Sequence, residues 1–236
     1  MAKIVEMRPP PKTENLGPKV QAHTRYYLGD GTLVPGVTTV VRVLGFNTDV
    51  LVKWANREGL AGRDTTKIKD ETAAIGSLAH YLIESELKGE EPDLADYTPA
   101  QLERAQHALK AFHEWKRQQD FHPQLVEGRL VSEEHGYGGT VDCWGMIQGL
   151  PHLLDFKTAR GIWFEHRIQV SAYWKLLQEN GYDVRGVRIL RIPRTPDEGF
   201  EEHVITGQQV LTGWRIFQRA LDIYRLEKEL RGGVGA

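Results

Sequence analysis

Cysteine and long apolar segments are what this 236-residue sequence has least of. Its one cysteine, Cys143, has no partner for an internal disulfide and cannot support a cysteine-ligated metal cluster. No apolar run approaches the roughly 18 residues of a membrane span. The N-terminal stretch MAKIVEMRPPPK also lacks the apolar core of a secretory signal. These absences predict a protein of the reducing cytosol.

Several catalytic signatures are absent as well. The sequence has no P-loop, so ATP-driven unwinding would need another chain, and it has no G-x-S-x-G elbow of a serine hydrolase. Its histidines are too scattered for a zinc hydrolase. The net charge of −2 argues against a protein that coats DNA nonspecifically. It leaves room for a nuclease, because carboxylates around a metal lower the net charge while a local basic strip can still hold phosphates.

The hydrophobic pattern divides the chain into a flexible leader over 1–24, a hairpin and helical region over 25–120, and a core over 121–236. In the region over 25–120 the pattern predicts a hairpin with a turn at Gly29-Asp30-Gly31. It then predicts four helices, near 37–45, 48–59, 72–88 and 98–119. The polar residues over 60–72 are expected to be mobile. The core predicts strands at 124–132, 138–148, 152–158, 184–193 and 201–206, and helices at 163–180 and 208–230. This order indicates an α/β fold in which one mixed sheet is flanked by helices and has a helical N-terminal elaboration. We expect residues 25–120 and 121–236 to form one compact unit.

The segment Leu153-Leu154-Asp155-Phe156-Lys157-Thr158 carries the strongest local signal. Side chains alternate along a strand, so Asp155 and Lys157 share one face. A hairpin turn near 148–151 would bring Asp142 beside Asp155, and two converging carboxylates suit Mg²⁺ or Mn²⁺. The alternatives are a solvent-facing salt bridge for Asp155 and Lys157, and a plain strand end for Asp142.

Other polar residues lie where they can join this site. His80 and Glu84 are four residues apart on one predicted helix, and an imidazole can complete a metal shell. Gln169 and Tyr173 have the same spacing on the helix after the Asp-x-Lys strand, where Gln169 could hold the lysine and Tyr173 could donate to a phosphate. Glu127 lies on the strand before Asp142. The alternatives are surface or packed positions for His80, Gln169 and Tyr173.

Taken together, these motifs resemble the RecB-like branch of the PD-(D/E)XK nucleases. The matching residues, in chain order, are Gly76…His80, Glu127, Gly138-Gly139-Thr140-Val141-Asp142, Asp155-Phe156-Lys157-Thr158 and Gln169…Tyr173. Tyr26-Tyr27, Val34 to Val40 and Leu51…Trp54-Ala55 are similar to phage exonucleases and to the mitochondrial genome maintenance exonuclease. The resemblance runs from about residue 25 to 180. Relatives that hold an iron–sulfur cluster carry cysteines that this chain lacks.

The resemblance implies a restriction-endonuclease-like core that cleaves DNA with one or two Mg²⁺ or Mn²⁺ ions. His80, Asp142, Asp155 and the main-chain carbonyl of Phe156 would hold the metal, and Lys157 would orient or help deprotonate the attacking water. Gln169, Tyr173 and Glu127 would support the site.

Tyr173, Trp54 and Arg57 are the candidate DNA contacts. The implied activity is an exonuclease on single-stranded ends or flaps in replication, recombination or repair, in the cytosol of a bacterium or a phage-infected cell, with a replication or recombination protein as a further partner. The alternatives are a structure-specific endonuclease on the same core and a noncatalytic DNA-binding subunit.

Overall fold

The N-terminal region begins with the predicted hairpin. The structure, a computed structural model, describes residues 24–46, 48–195 and 197–232, so the predicted leader lies almost wholly outside the described residues. Strands β1 (Tyr26–Tyr27) and β2 (Leu33–Val34) pair antiparallel. The Asp30 carboxylate accepts the N–H of Thr32 at 2.8 Å and so closes the turn between the strands. Two helices follow, α1 (Val37–Arg42) and α2 (Thr48–Leu60).

The third helix is longer than the sequence pattern predicts. Helix α3 runs over Thr65–Lys88, so its first seven residues occupy the stretch that was expected to be mobile. Its start is fixed by Asp64, whose carboxylate accepts the N–H groups of Thr66 and Lys67. The predicted start near residue 72 was wrong because the first two turns of α3 are polar and carry no apolar period. Gly89, in the left-handed conformation at φ 69°, ends the helix.

The fourth helix has the predicted start. Helix α4 spans Pro99–Gln118, with Thr98 at its N-cap. The Thr98 hydroxyl accepts the N–H of Gln101, and the Gln101 side chain accepts the N–H of Thr98. Pro99 takes the first helical position, where no N–H is needed.

One five-stranded sheet forms the centre of the molecule, with its strands in chain order. The strands are β3 (Phe121–Ser132), β4 (Tyr137–Ile147), β5 (Leu150–Lys157), β6 (Gly186–Arg191) and β7 (Glu201–Ile205). Helix α5 (Phe164–Glu179) connects β5 to β6, and α6 (Gly207–Gly232) ends the described chain. Only the β5–β6 pair of this sheet is parallel, so the sheet is mixed. The predicted α/β class with a mixed central sheet flanked by helices is confirmed.

Helices cover both faces of the sheet. Leu153 and Ile189 pack in a cluster with α1, α5 and α6, whereas Leu154, Phe156 and Leu190 pack in a second cluster with α3 and α4. Strand β5 therefore has apolar side chains on both faces, and its neighbours protect both edges. No helix in the described part of the chain combines the length and apolar composition that a membrane span needs.

Candidate active site

A glycine brings α3 against the end of β5. A Cβ atom added at Gly76 would lie 2.6 Å from the Thr158 hydroxyl oxygen, too close for any side chain. This contact sets His80, one turn further along α3, beside Phe156 of β5, with ring centroids 6.3 Å apart. Desolvation and the ammonium of Lys157 lower the pKa of His80 to about 4. His80 is therefore neutral at physiological pH, as a metal ligand must be.

Strands β3 and β4 are both irregular at the position of the predicted carboxylates. Glu127 has a positive φ of 52°, which is uncommon for a residue other than glycine. On β4, Val141 packs with the α5 cluster but Cys143 packs with the α3 and α4 cluster, so the alternation of faces is interrupted at Asp142. The pairs on either side, Val126 with Cys143 and Gly128 with Val141, place Glu127 opposite Asp142.

Strands β4 and β5 separate at the same level. Their last regular pair is Cys143 with Leu154, and the next position sets Asp142 opposite Asp155. Here the Asp142 carboxylate replaces a backbone acceptor, because its Oδ2 accepts the N–H of Phe156 at 2.7 Å. Glu127, Asp142 and Asp155 therefore follow one another across three neighbouring strands, and we name them the carboxylate row.

Lys157 provides the opposite charge. Its Nζ lies 2.7 Å from Asp155 Oδ2, and the two side chains are only 15% and 1% exposed. Asp155 Oδ1 is buried and has no hydrogen-bond donor among the described residues. One lysine thus faces three carboxylates in a poorly hydrated place, which leaves the site with an excess of negative charge.

The pKa values of the row are raised by burial first and by repulsion between the carboxylates second. Burial is the main cause and raises the pKa of Glu127 to about 8, with Asp142 and Glu84 adding repulsion. Burial also raises the pKa of Asp142, and it raises that of Asp155 to about 6 despite the nearby ammonium. For Lys157 burial disfavours the charged form, but the attraction of Asp155 and Asp142 outweighs it and raises the pKa.

Tyr173 and Gln169 form a second part of the site. The Gln169 amide donates to the Tyr173 hydroxyl at 2.8 Å, so Gln169 positions Tyr173, whereas Lys157 is held by Asp155. Tyr173 is 5% exposed and packs on Gly139, where an added Cβ would lie 2.7 Å from its ring. The sequence suggested that Gln169 could hold Lys157, whereas in the structure its amide donates to Tyr173.

The N-terminal hairpin also reaches the site, which sequence reasoning did not assign. The Tyr26 and Thr140 hydroxyl groups lie 2.9 Å apart. An added Cβ at Gly138 would lie 2.4 Å from the Tyr26 side chain. The two glycines before Thr140 therefore allow two different close contacts: Tyr26 packs against Gly138, and Tyr173 packs against Gly139.

The chemistry of the row fits a hard divalent cation. Three carboxylates and a neutral imidazole are suitable ligands, and the unpartnered Asp155 Oδ1 is the buried oxygen that a cation would satisfy. The atoms of His80, Asp142 and Asp155 are not gathered to ligation spacing, because Lys157 occupies one side of Asp155 and the Phe156 N–H occupies Asp142. Binding would therefore have to draw Asp155 away from Lys157.

A different group of potential ligands does have close spacing. Among the described residues, ligand atoms of Glu134, His135 and Glu179 all lie within 4.8 Å of one another. They meet where the β3–β4 turn reaches the end of α5. The ammonium of Lys175 already lies 3.3 Å from the Glu179 carboxylate. This group was not predicted from the sequence, and it lacks the paired aspartates of the β4–β5 site.

Glu127 and Asp142 of the carboxylate row line a cleft of about 2250 Å³, whereas Asp155 is fully buried and is not part of its lining. Helices α2 and α3, strands β3 and β4 and the segments after β5 and β6 line the cleft. Trp54 and Arg57, the two DNA contacts predicted on α2, both lie in this lining, as do His80 and Tyr173. Arg57 is paired with Glu58 at 3.3 Å, yet its side chain is 68% exposed. Two further lining residues, Arg160 and Trp163, were not identified from the sequence because they follow the Asp-x-Lys motif in a segment without periodicity.

Comparison with known proteins gave structural likenesses but no family assignment. No family model matches the chain, and no curated protein matches it. A candidate exonuclease from Eubacterium rectale is 11% identical, with a TM-score of 0.48, and the match covers 67% of this chain and 68% of that one. An alkaline exonuclease from Laribacter hongkongensis is 13% identical, with a TM-score of 0.34, and the match covers 70% and 92%. The roles of residues here therefore depend on the geometry of this chain itself.

Proposed function

We propose that the protein is a metal-dependent deoxyribonuclease, acting as an exonuclease on single-stranded ends or flaps. The carboxylate row beside Lys157 is the observation that carries the proposal. Like charges directly opposite each other weaken a sheet. Here Glu127, Asp142 and Asp155 meet at the point where both strand pairs depart from regular geometry. Such strain and repulsion are typical of a site kept for binding and catalysis.

The cation in this proposal is Mg²⁺ or Mn²⁺. His80, Asp142, Asp155 and the main-chain carbonyl of Phe156 would hold it. When bound, a divalent ion offsets the charge of a phosphodiester and lowers the pKa of a water ligand. With a neutral His80 and oxygen ligands otherwise, the set favours these hard ions over zinc.

Lys157 has the central part among the chain's own groups. Its ammonium, now held by Asp155, would be turned toward the phosphate when Asp155 binds a cation. Beside the phosphate, the Lys157 ammonium would hold the attacking water and offset the negative charge that develops on the phosphate oxygens. Glu127, with its high pKa, is suited to hold or take up a proton near neutral pH. Tyr173, positioned by Gln169, would donate its hydroxyl hydrogen to a phosphate oxygen.

The cleft supports DNA as the substrate. It combines basic groups that can follow a phosphate backbone, such as Arg57, with an aromatic ring, Trp54, on which a base can stack. The motif order that resembles the RecB-like nucleases favours an exonuclease in replication, recombination or repair. The same resemblance favours the cytosol of a bacterium or a phage-infected cell as the location.

The test uses end-labelled single-stranded DNA, a flap and a closed circle, each with Mg²⁺, Mn²⁺ or EDTA. Asp155→Ala and Lys157→Ala are the site variants, and Asp222→Asn, 53% exposed on α6, is the surface control. We expect metal-dependent loss of linear DNA in the wild type and the control, and none in the site variants. The circle should survive.

Two other results of the same assay would favour an endonuclease or a noncatalytic DNA-binding subunit instead. Nicking of the circle as fast as the loss of ends would indicate a structure-specific endonuclease. Binding of DNA by the wild type without cleavage under any metal condition would indicate a noncatalytic subunit, and the nuclease proposal would fail. Circular dichroism of each variant separates loss of catalysis from loss of folding.

A further inference from the structure

The segment that follows Lys157 runs along the cleft before α5 begins. We name residues 158–163 the β5–α5 loop. Four of its residues line the same cleft as Asp142 and His80, and two of these, Arg160 and Trp163, are large and exposed. The loop is therefore the part of the chain nearest in sequence to the catalytic lysine that offers side chains to a ligand in the cleft.

Trp163 is an exposed aromatic residue on a fixed backbone. Its side chain is 43% exposed, although an indole of this size would contribute more to stability if it were buried. The main-chain N–H of Trp163 donates to His166 Nδ1 at 3.2 Å, at the start of α5. The next residue, Phe164, packs edge-to-face on Phe46 with ring centroids 5.2 Å apart. The indole thus faces solvent in the cleft from a backbone that is held at the start of α5.

Gly161 lies beside the Trp163 indole. A Cβ atom added at Gly161 would touch the six-membered ring of Trp163 at 3.6 to 3.9 Å. The ring therefore lies close to the loop backbone, and the exposed part of the indole is accessible from the cleft. A planar apolar surface with one edge in water is the geometry on which a nucleic-acid base stacks.

Arg160 is a cation without an acidic partner among the described residues. Two of the other arginines that line the cleft are neutralised: Arg191 pairs with Glu201 at 2.9 Å, and Arg194 with Glu198 at 2.5 Å. Arg160 is exposed, and no ion pair or hydrogen bond joins its guanidinium to any described residue. Its charge is available to a phosphate that approaches Lys157.

We propose that Arg160 and Trp163 form a nucleotide subsite beside the scissile phosphate, in which one DNA base stacks on the Trp163 indole and an adjacent phosphate binds Arg160. The proposal rests on the nuclease function and assigns the preference for single-stranded ends to two particular side chains. A base can reach the indole only after it leaves its own stack, so the subsite selects an unpaired nucleotide. Single-stranded or frayed ends would meet this requirement without the cost of opening a duplex.

The stacking contact can be tested with an abasic substrate. Single-stranded oligonucleotides carrying one abasic residue are scanned over the nucleotides next to the cleavage point, with wild type and Trp163→Ala. On normal DNA we expect the variant to lose about 5- to 150-fold in kcat/KM, the range that corresponds to one base stacked on an aromatic ring. At one abasic position wild type and variant should become equal, because the base that stacks is missing.

The phosphate contact can be tested through salt. Because each phosphate neutralised on single-stranded DNA contributes about −0.7 to the slope of log affinity against log salt, Arg160→Gln should make the slope of kcat/KM shallower by about 0.7. Arg160→Lys should keep the wild-type slope. Arg219→Gln, 83% exposed on α6 and outside the cleft lining, is the charge control and should change neither slope nor rate.

The aromatic control is a neighbour of the indole. Phe164 is 51% exposed but does not line the cleft, so Phe164→Ala should lose the same activity on normal and abasic DNA, if it loses any. A Trp163→Ala defect of equal size on every abasic substrate would overturn the stacking subsite while the nuclease itself stayed active. An unchanged salt slope in Arg160→Gln would overturn the phosphate contact. Absence of cleavage by the wild type would instead overturn the proposed function.

Discussion

Replacing Asp155 by asparagine removes one negative charge from a side chain that is only 1% exposed. Asparagine has nearly the same shape and keeps an oxygen that can face Lys157. Asp142 and Glu127 remain to attract the ammonium. In the absence of metal, this substitution should therefore relieve repulsion within the carboxylate row instead of creating a defect.

The size of the effect follows from the pKa of Asp155, raised from 3.8 to about 6 mainly by burial. Between these values the folded protein holds a proton that the unfolded chain has released. Stability of the wild type therefore falls as pH rises through that window, and the loss is complete above the folded-state pKa. At 1.36 kcal/mol per pKa unit, the loss is about 3 kcal/mol. The asparagine variant cannot suffer this loss.

Thermal unfolding in EDTA measures the difference. We expect Asp155→Asn to match the wild type near pH 4 and to unfold about 6 to 12 °C higher near pH 8, since 1 kcal/mol shifts Tm by about 2–4 °C at this size. Added Mn²⁺ should raise the Tm of the wild type near pH 8 and have a smaller effect on the variant. The exposed control Asp222→Asn should change neither value. A variant that is less stable than the wild type near pH 8 would refute the argument that Asp155 is ionised at a cost.

Substitutions at three positions test the surrounding structure. Gly139→Ala puts a Cβ 2.7 Å from the buried Tyr173 ring, so it should cost about 1–3 kcal/mol in a denaturant titration, and an unchanged midpoint would contradict the close approach. Gln148→Gly should raise the free energy of unfolding by about 0.5–1 kcal/mol, because Gln148 holds a φ of 51° in the β4–β5 turn; a loss of stability would speak against strain there. Thr98→Ala removes the N-cap of α4 and should cost about 1 kcal/mol, whereas Thr98→Asn should restore it.

The sequence allowed the helices and strands to be placed because their signals are local. The Gln148-Gly149 turn, the Thr98-Pro99 cap and the apolar residues around Asp155 in β5 are each signals within a few residues, and the structure has the corresponding elements. The start of α3 escaped prediction because a cap at Asp64 precedes a polar turn.

The details of the site were harder to predict because they depend on residues distant in sequence. Tyr26 meets Thr140 across 114 positions, and no periodic pattern links the two. The separation of β4 from β5 at Asp142 arises from a side chain that takes the place of a backbone acceptor. Spacing indicated that Asp142 and Asp155 would be neighbours, but it could not show that Lys157 and Phe156 would occupy their oxygens.

The order of the strands also affects how the protein matures on the ribosome. Strand β5, which carries Asp155 and Lys157, pairs with β4 on one side as soon as the hairpin forms, but its other edge stays open until α5 and then β6 have been synthesised. The nascent chain therefore reaches residue 191 before the strand with the reactive groups is enclosed in the sheet. A chain that stops earlier would expose that edge to other chains. The polypeptide thus acquires the geometry of the carboxylate row only after β6 has been synthesised, when the sheet that restrains it is nearly complete.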